Sequence, residues 1–574
     1  MRLYAVSFSF ILLSTSAYAE TASGSALETL LLSHTEVEDN SKTKISPNEE
    51  SKFFATQRSK LANGQLVGEH IKQQDISQAV STATGASTVM TAATRAAEAL
   101  NVKDFGAFCD GSRDDTSSFL KAISVLQAKG GGRLYLPNGG RCVISQTLSV
   151  TKQPVVFSGA GKYNTTLTET KPSIDIIQFN GTYFGGGVEN LTITSGAAAN
   201  QGGAGIHAIG VSDVVIRNVN ISKTYNGFQE DSAGVVRVEN VDASNIIYDS
   251  FLLNGGPVQF LNNVTAFNAS PNHAGIEVTA SGAVHIVNSG MSSQGVALLI
   301  DPTDAGKAYA GWTMGEVFDV WASDCDFDDT RGPAIKIAPR GTGLAYSMQF
   351  TNIRTGFSSG QGVLIDGSNI NPGTGHPLDS GVYNILFNNL QSVNNLKEGL
   401  KIVSGTNIFL NNSAILGNSA RGGGYSGISV TGGDGISITG TQSTLWKNIP
   451  TNQKYGLLIE ATFRGHLNAG NNDFRNNLNG QAVFVAAPSG SVTITNSAGY
   501  NPRGISVLNV GSSPWEYTAG PSPETLILSG GSVSQVTIGG IAVASSSNIS
   551  LPLAAHQKAV VTYSALPRAT SNAE

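Results

Sequence analysis

The sequence is short of charge, of cysteine and of long apolar runs, and each shortage removes a class of protein. Charged residues make up only 13% of the 574, with a formal net charge of −6, and no Lys/Arg-rich run occurs. A nucleic-acid partner is therefore not expected, because phosphate neutralisation needs clustered cations. Beyond the first twenty residues no segment is long and apolar enough to cross a bilayer, so no membrane span is expected. No P-loop, no G-x-S-x-G and no zinc-type His/Cys cluster is present, so no metal and no cofactor is expected. The three cysteines fall at 109, 142 and 325. Cys109 and Cys142 are the pair to consider for a disulfide, and free buried thiols explain the same residues equally well.

What is abundant is Gly, at 67 residues, together with Asn and Ser, a composition suited to many short strands and tight turns. The opening residues set Arg2 before an apolar stretch to Leu13 and then Ala17-Tyr18-Ala19. This is the layout of a signal peptide over 1–19, and it predicts a secreted or periplasmic protein. Residues 20–100 are polar and without a sustained apolar period, which predicts a flexible or partly helical segment with a helix near Thr91–Leu100.

From about 188 to 498 one pattern recurs: apolar-x-apolar-x-Asn-apolar-x-apolar. Its Asn stands at 218, 240, 288, 352, 389, 412 and 496, with further matches at Asn190 and Asn263. Strands that mostly open on Gly lie between these units. Repeats of 22 to 37 residues with short strands and no helices describe coils of a parallel β-helix, expected over 101–510. The Asn column is expected as a buried ladder of stacked amides. After it, 511–567 has alternating strands without the Asn, a small β-module, and 568–574 is expected as a tail.

The stretch from Asn101 to Ser145 holds a loop ending at Asp114-Asp115-Thr116 and an amphipathic helix with Phe119, Ile123 and Leu126 on one face. Gly130-Gly131-Gly132 stops the helix, and the strand Arg133–Leu136 follows. It resembles the N-terminal segment of the pectate-lyase-3, or glycoside hydrolase family 28-related, proteins. That resemblance implies an all-β, right-handed parallel β-helix capped by the helix. The run from Ala86 to Ala107 and the C-terminal module resemble phage tail-spike chains, which implies a homotrimer acting on a bacterial surface glycan. The plant-pectin hydrolase segments N-T-D, G-H-G and R-I-K are absent, so polygalacturonase chemistry is not supported.

Two coils are long, with 36 residues from Asn288 to Asp324 and 37 from Asn352 to Asn389, and their extra loops fall at 301–315 and 367–381. A cleft between them, holding Tyr309, Trp312, Lys336 and Arg340, suits a polysaccharide by stacking and hydrogen bonding. Aligning LLID with VLID puts Asp301 and Asp366 at one outward place two coils apart, a candidate acid–base pair for an inverting glycosidase. Both also read as turn-starting residues bonding their own backbone. Glu277 and Lys336 face outward from matching places, and Asp304 and Glu316 are further acids on the loop. The D-x-D-x-D run from Asp324 suggests calcium, but Gly is missing at the sixth loop position and Ile335 stands at the twelfth. Asp324 occupies the ladder place, which leaves Asp326 and Asp328 or Asp329 as exposed acids and Asp326 as a catalytic candidate.

Three functions follow. The first is an endo-acting glycoside hydrolase on a bacterial exopolysaccharide or surface glycan. The second is a polysaccharide lyase using Lys336 or Arg340, with Tyr346 as proton donor. The third is a non-catalytic glycan-binding or matrix protein.

Overall fold

The computed structural model describes residues 99–573 apart from 198–200, 269, 303–314, 370–379, 447–452, 479–482, 501–503 and 521–522, together with the short strands at 80–81 and 90–91. The residues before Thr94 form a unit of their own, in which Val80–Ser81 pairs antiparallel with Met90–Thr91. Of the helix expected near Thr91–Leu100, residues 92–98 lie outside the described set, and Ala99–Asn101 is a strand rather than a helix.

From Ala99 onward the chain winds as a parallel β-helix with three sheets. Sheet A runs through Ile177–Asn180, Ala204–Ile209, Asn226–Asp231, Phe251–Gly256, the first half of Ala274–Val287, Val296–Ile300, Ile335–Ile337, Val363–Asp366 and Leu400–Ser404, each parallel to the next. Sheets B and C are often cut from one continuous strand. Val214–Ser222 is such a strand, and its two halves pair with the two halves of Val235–Ser244. Alternation sends Val214, Ile216, Val219 and Ile221 inward to an apolar core. Between the halves two residues in succession face outward, Arg217 and Asn218.

That break is where the recurrent Asn sits. Asn190, Asn218, Asn240, Asn263, Asn288, Asn352, Asn389 and Asn412 all have φ between 49° and 59°, and Asp324 takes the same conformation at 56°. A left-handed residue bends the strand from one sheet into the next, and Asn tolerates that region better than other residues with a side chain, glycine aside. The amides do stack: Asn218 Nδ2 donates to Asn190 Oδ1 at 2.8 Å, Asn240 to Asn218 at 3.0 Å and Asn389 to Asn352 at 2.9 Å. The ladder is nevertheless on the outside of the bend, half-exposed or exposed, and not buried as the pattern suggested. A buried amide stack exists at a different corner, where Asn395, Asn418 and Gln453 are fully buried and Asn395 Nδ2 donates to Asn418 Oδ1 at 2.9 Å.

The helix Thr116–Ala128 closes the N-terminal end with Phe119, Ala122, Ile123 and Leu126 buried. Asp115 at its start turns its carboxylate to the backbone N–H groups of Phe108, Cys109 and Val143. Asp114 accepts from the Thr116 N–H instead. Cys109 and Cys142 are joined in a disulfide and Cys325 is a buried free thiol.

At the C-terminal end two four-stranded antiparallel sheets share a core built on Leu526, Leu528, Val536 and Val561. The module takes in Gly504–Leu508, ahead of the expected start at 511, and the expected tail from 568 is the strand Arg568–Ala573, paired on both sides. No helix among the described residues is long and apolar enough to cross a membrane.

Candidate functional site

Outward positions on sheet A form a column: Gln229 pairs with Leu252, Leu252 with Glu277, Glu277 with Leu299, and Leu299 with Lys336. Glu277 and Lys336 are thus in line two coils apart, about 10 Å by strand spacing. Asp301 and Asp366 also share one register, since Ile300 pairs with Ile337 and Ile337 with Ile365.

Their surroundings differ. Asp366 Oδ1 accepts from Ser368 N at 3.2 Å and from Ser368 Oγ at 2.5 Å, so its carboxylate is spent on its own turn. Asp301 is 7% exposed and pairs with Arg340, whose Nη2 lies 2.5 Å from Asp301 Oδ2. The structure joins Asp301 to Glu277 rather than to Asp366. Glu277 stands between Asp249 and Asp301, close enough for each to perturb its carboxyl, making a trio of acids drawn from three successive coils.

Two oxygens of this trio, Asp249 Oδ2 and Asp301 Oδ1, are buried and receive no hydrogen bond from any N–H or hydroxyl. Three carboxyls facing one another with few donors favour a proton on one of them, which relieves like-charge repulsion. Burial, reinforced by Asp249, pushes Glu277 up to about 9. Burial raises Asp301 to about 7, with neighbouring Glu277 adding to the rise and Arg340 pulling against it. Asp249 is raised by burial as well. At neutral pH the site therefore holds an acid next to a group close to its midpoint, the separation that acid–base catalysis needs.

Beside the trio stands an aromatic wall. Tyr225 and Tyr248 stack with centroids 5.0 Å apart, and the His273 ring lies 3.6 Å from Tyr248. His273 Nδ1 is 3.9 Å from Asp249 Oδ1, and burial lowers its pKa, so the ring is neutral at pH 7. Asp249, Tyr248 and His273 were not picked out in the sequence. The signal was there: TYNGF at 224–228 and IYDSF at 247–251 occupy one register, because Phe228 pairs with Phe251.

The remaining candidates lie elsewhere or outside the described set. Tyr309, Trp312 and Asp304 fall in 303–314 and are not described. Tyr346 lies on sheet B, stacked between Phe318 and Tyr383, and its hydroxyl donates to Glu316 Oε2 at 3.3 Å. Asp326 is on sheet C, away from the trio, where Arg354 Nη1 bridges it to Asp328 at 2.6 and 2.8 Å. The acids Asp324, Asp326 and Asp328 thus face a ladder amide and an arginine. Asp115 approaches the two sulfurs of Cys109 and Cys142, but these are consumed by the disulfide and Asp115 by backbone N–H groups.

The chain shares short segments with two proteins of Azotobacter vinelandii. It is 56% identical over 39 residues to mannuronan C5-epimerase AlgE3, which is 7% of this chain and 2% of the epimerase. It is 40% identical over 72 residues to alginate lyase 7, which is 12% of this chain and 8% of the lyase. The chain thus matches less than a tenth of either relative's length. Among solved structures, a doubly substituted form of the tailspike of E. coli bacteriophage HK620 superposes with a TM-score of 0.50 at 10% identity, covering 87% of this chain and 98% of the tailspike. That likeness speaks for the fold alone. Residues 99–299 match the family model described as rhamnogalacturonase A/epimerase, pectate lyase-like, a stretch that holds the capping helix, Asp249 and Glu277, and the resemblance read from the N-terminal segment holds.

Proposed function

We propose that this chain is an exported polysaccharide depolymerase, an endo-acting glycoside hydrolase that cuts a bacterial exopolysaccharide or surface glycan lying across sheet A. The observation that carries the reading is the cluster of Asp249, Glu277 and Asp301 on the outward side of sheet A, with Arg340 on Asp301 and with burial and Asp249 pushing Glu277 up to about 9. Glu277 protonates the leaving glycosidic oxygen, and Asp301, charged by Arg340, takes a proton from the attacking water. Without substrate Glu277 and Asp301 touch. A bound glycosidic oxygen replaces Asp301 as the partner of Glu277 and parts the pair toward the roughly 6.5–9.5 Å that admits a water. The apolar start of the chain and the Cys109–Cys142 disulfide, a bond favoured in oxidising compartments, support export to the periplasm or beyond.

A second reading, a lyase on a uronic-acid polymer, is favoured by His273, a neutral imidazole placed beside Asp249 and suited to proton abstraction. The products separate the two. Incubation with the producing cell's own exopolysaccharide gives new reducing ends and products heavier by one water per cut if the chain is a hydrolase. An unsaturated uronate absorbing in the ultraviolet means a lyase. Unchanged turnover in Glu277→Gln removes the first reading, and unchanged turnover in His273→Ala removes the second.

A further inference from the structure

On sheet A, on the N-terminal side of the trio, a row of polar side chains crosses successive strands. Asp175 Oδ2 lies 2.8 Å from His207 Nδ1, and His207 Nε2 lies 2.9 Å from Asp231 Oδ2. Asn254 Nδ2 donates to Asp231 Oδ1 at 2.7 Å, and the Thr279 hydroxyl donates to Asn254 Oδ1 at 2.9 Å. Thr279 is two residues beyond Glu277 on the same strand, so the row runs into the trio. Gln229 fills the gap between His207 and Leu252 in the outward column and donates to Asp231 at 3.0 Å. The Tyr225–Tyr248 stack borders the row on the side where each strand begins.

The charge of this row is set by its geometry. With a carboxylate on each ring nitrogen, His207 donates twice and is a cation. Burial works against that charge, yet the two carboxyls outweigh it and raise the pKa to about 9. Burial also pushes Asp175 up, but the hydrogen bond and charge of His207 prevail and leave it lowered. Two carboxylates against one imidazolium leave a net negative charge. The sheet A strands at 177–180, 204–209, 226–231, 251–256 and 274–280 carry no lysine or arginine to offset it. Uronate or sulfate groups laid along this row meet a net negative charge, its one imidazolium being already held between two carboxylates. Hydroxyl groups meet amides, a carboxylate and a threonine already locked by one another, so little side-chain entropy is lost on binding.

We propose that this row and the Tyr225–Tyr248 wall are subsites for uncharged, hydroxyl-bearing sugar units of the glycan, on the N-terminal side of the bond to be cut. The inference rests on the depolymerase reading for the cut, but it is tested by binding alone. The folded Glu277→Gln chain is applied to an array of bacterial oligosaccharides, neutral and uronate-containing, and the hits are titrated in solution. Neutral oligosaccharides are expected to bind. Gln229→Ala and Tyr225→Ala, each made in that background and checked for an unchanged melting temperature, are each expected to weaken them by about tenfold, the scale of one hydrogen bond or stacking contact. Binding confined to uronate-containing glycans, the lack of any neutral hit, or neutral binding unaffected by both substitutions overturns the proposal. Failure of the depolymerase reading shows differently: the wild-type chain binds the neutral glycan and leaves it uncut.

Discussion

Arg340 reaches back one coil to place its guanidinium 2.5 Å from the Asp301 carboxylate, and it is the cation that opposes the rise in Asp301's pKa. Its backbone is braced where the two long loops begin: Arg340 N donates to Pro302 O at 3.0 Å, and Gly341 N donates to Asn369 O at 3.1 Å. Arg340→Ala removes the charge that lowers Asp301, so Asp301 ionises at higher pH. The acidic limb of the pH–rate profile is expected to move upward, with a loss of about tenfold at pH 6 that shrinks toward pH 9. Arg340→Lys restores most of the profile. A uniform loss at every pH shows that Arg340 acts on substrate instead.

Glu277 has a consequence for stability as well as for rate. Its pKa rises on folding from 4.5 to about 9, so between those values the folded chain binds a proton that the unfolded chain releases. Stability contributed by the protonated group is complete below about 4.5 and is lost as pH rises toward 9. Glu277→Gln carries no titrating group. The variant is expected to melt increasingly above the wild type as pH climbs through this window, with the gap levelling off past its upper end. Thermal unfolding at pH 5, 7 and 9 checks it, and a constant gap refutes the assignment.

The coil repeat was legible because a left-handed bend needs a tolerant residue at each turn, and Asn218, Asn240 and Asn352 mark those bends in the letters. Their exposure was not legible, because a stacked amide looks alike in sequence whether it faces the core or the solvent. The acid site was half visible. Glu277 shows as a charge between the apolar residues Ile276 and Val278 of a strand, whereas Asp249 sits in a turn where Asp is ordinary. Only the stacking of adjacent coils brings Asp249 beside Glu277, and that contact is long-range in sequence.

The register shared by Asp301 and Asp366 makes them look equivalent, and their substitutions are expected to differ sharply. Asp301→Asn removes the base and should lower kcat by a factor of about 100 or more. Asp366→Asn leaves the trio intact and disturbs only the turn with Ser368, so activity should stay within about threefold. Reducing-end release by the two purified variants, at equal melting temperature, decides between them. Comparable losses would return Asp366 to the site.

The ladder can be separated into its backbone and side-chain parts at Asn240, where φ is 53°. Asn240 donates to Asn218 and accepts from Asn263, and both bonds vanish in Asn240→Ala and in Asn240→Gly. Only the alanine must also place a Cβ in the left-handed region, at a cost of about 1 kcal/mol. Asn240→Gly is therefore expected to be the more stable of the two in urea, although glycine gives up more chain entropy on folding and narrows the margin. If alanine proves equal or better, the bend does not require the left-handed residue, and the repeated Asn is kept for its hydrogen bonds alone.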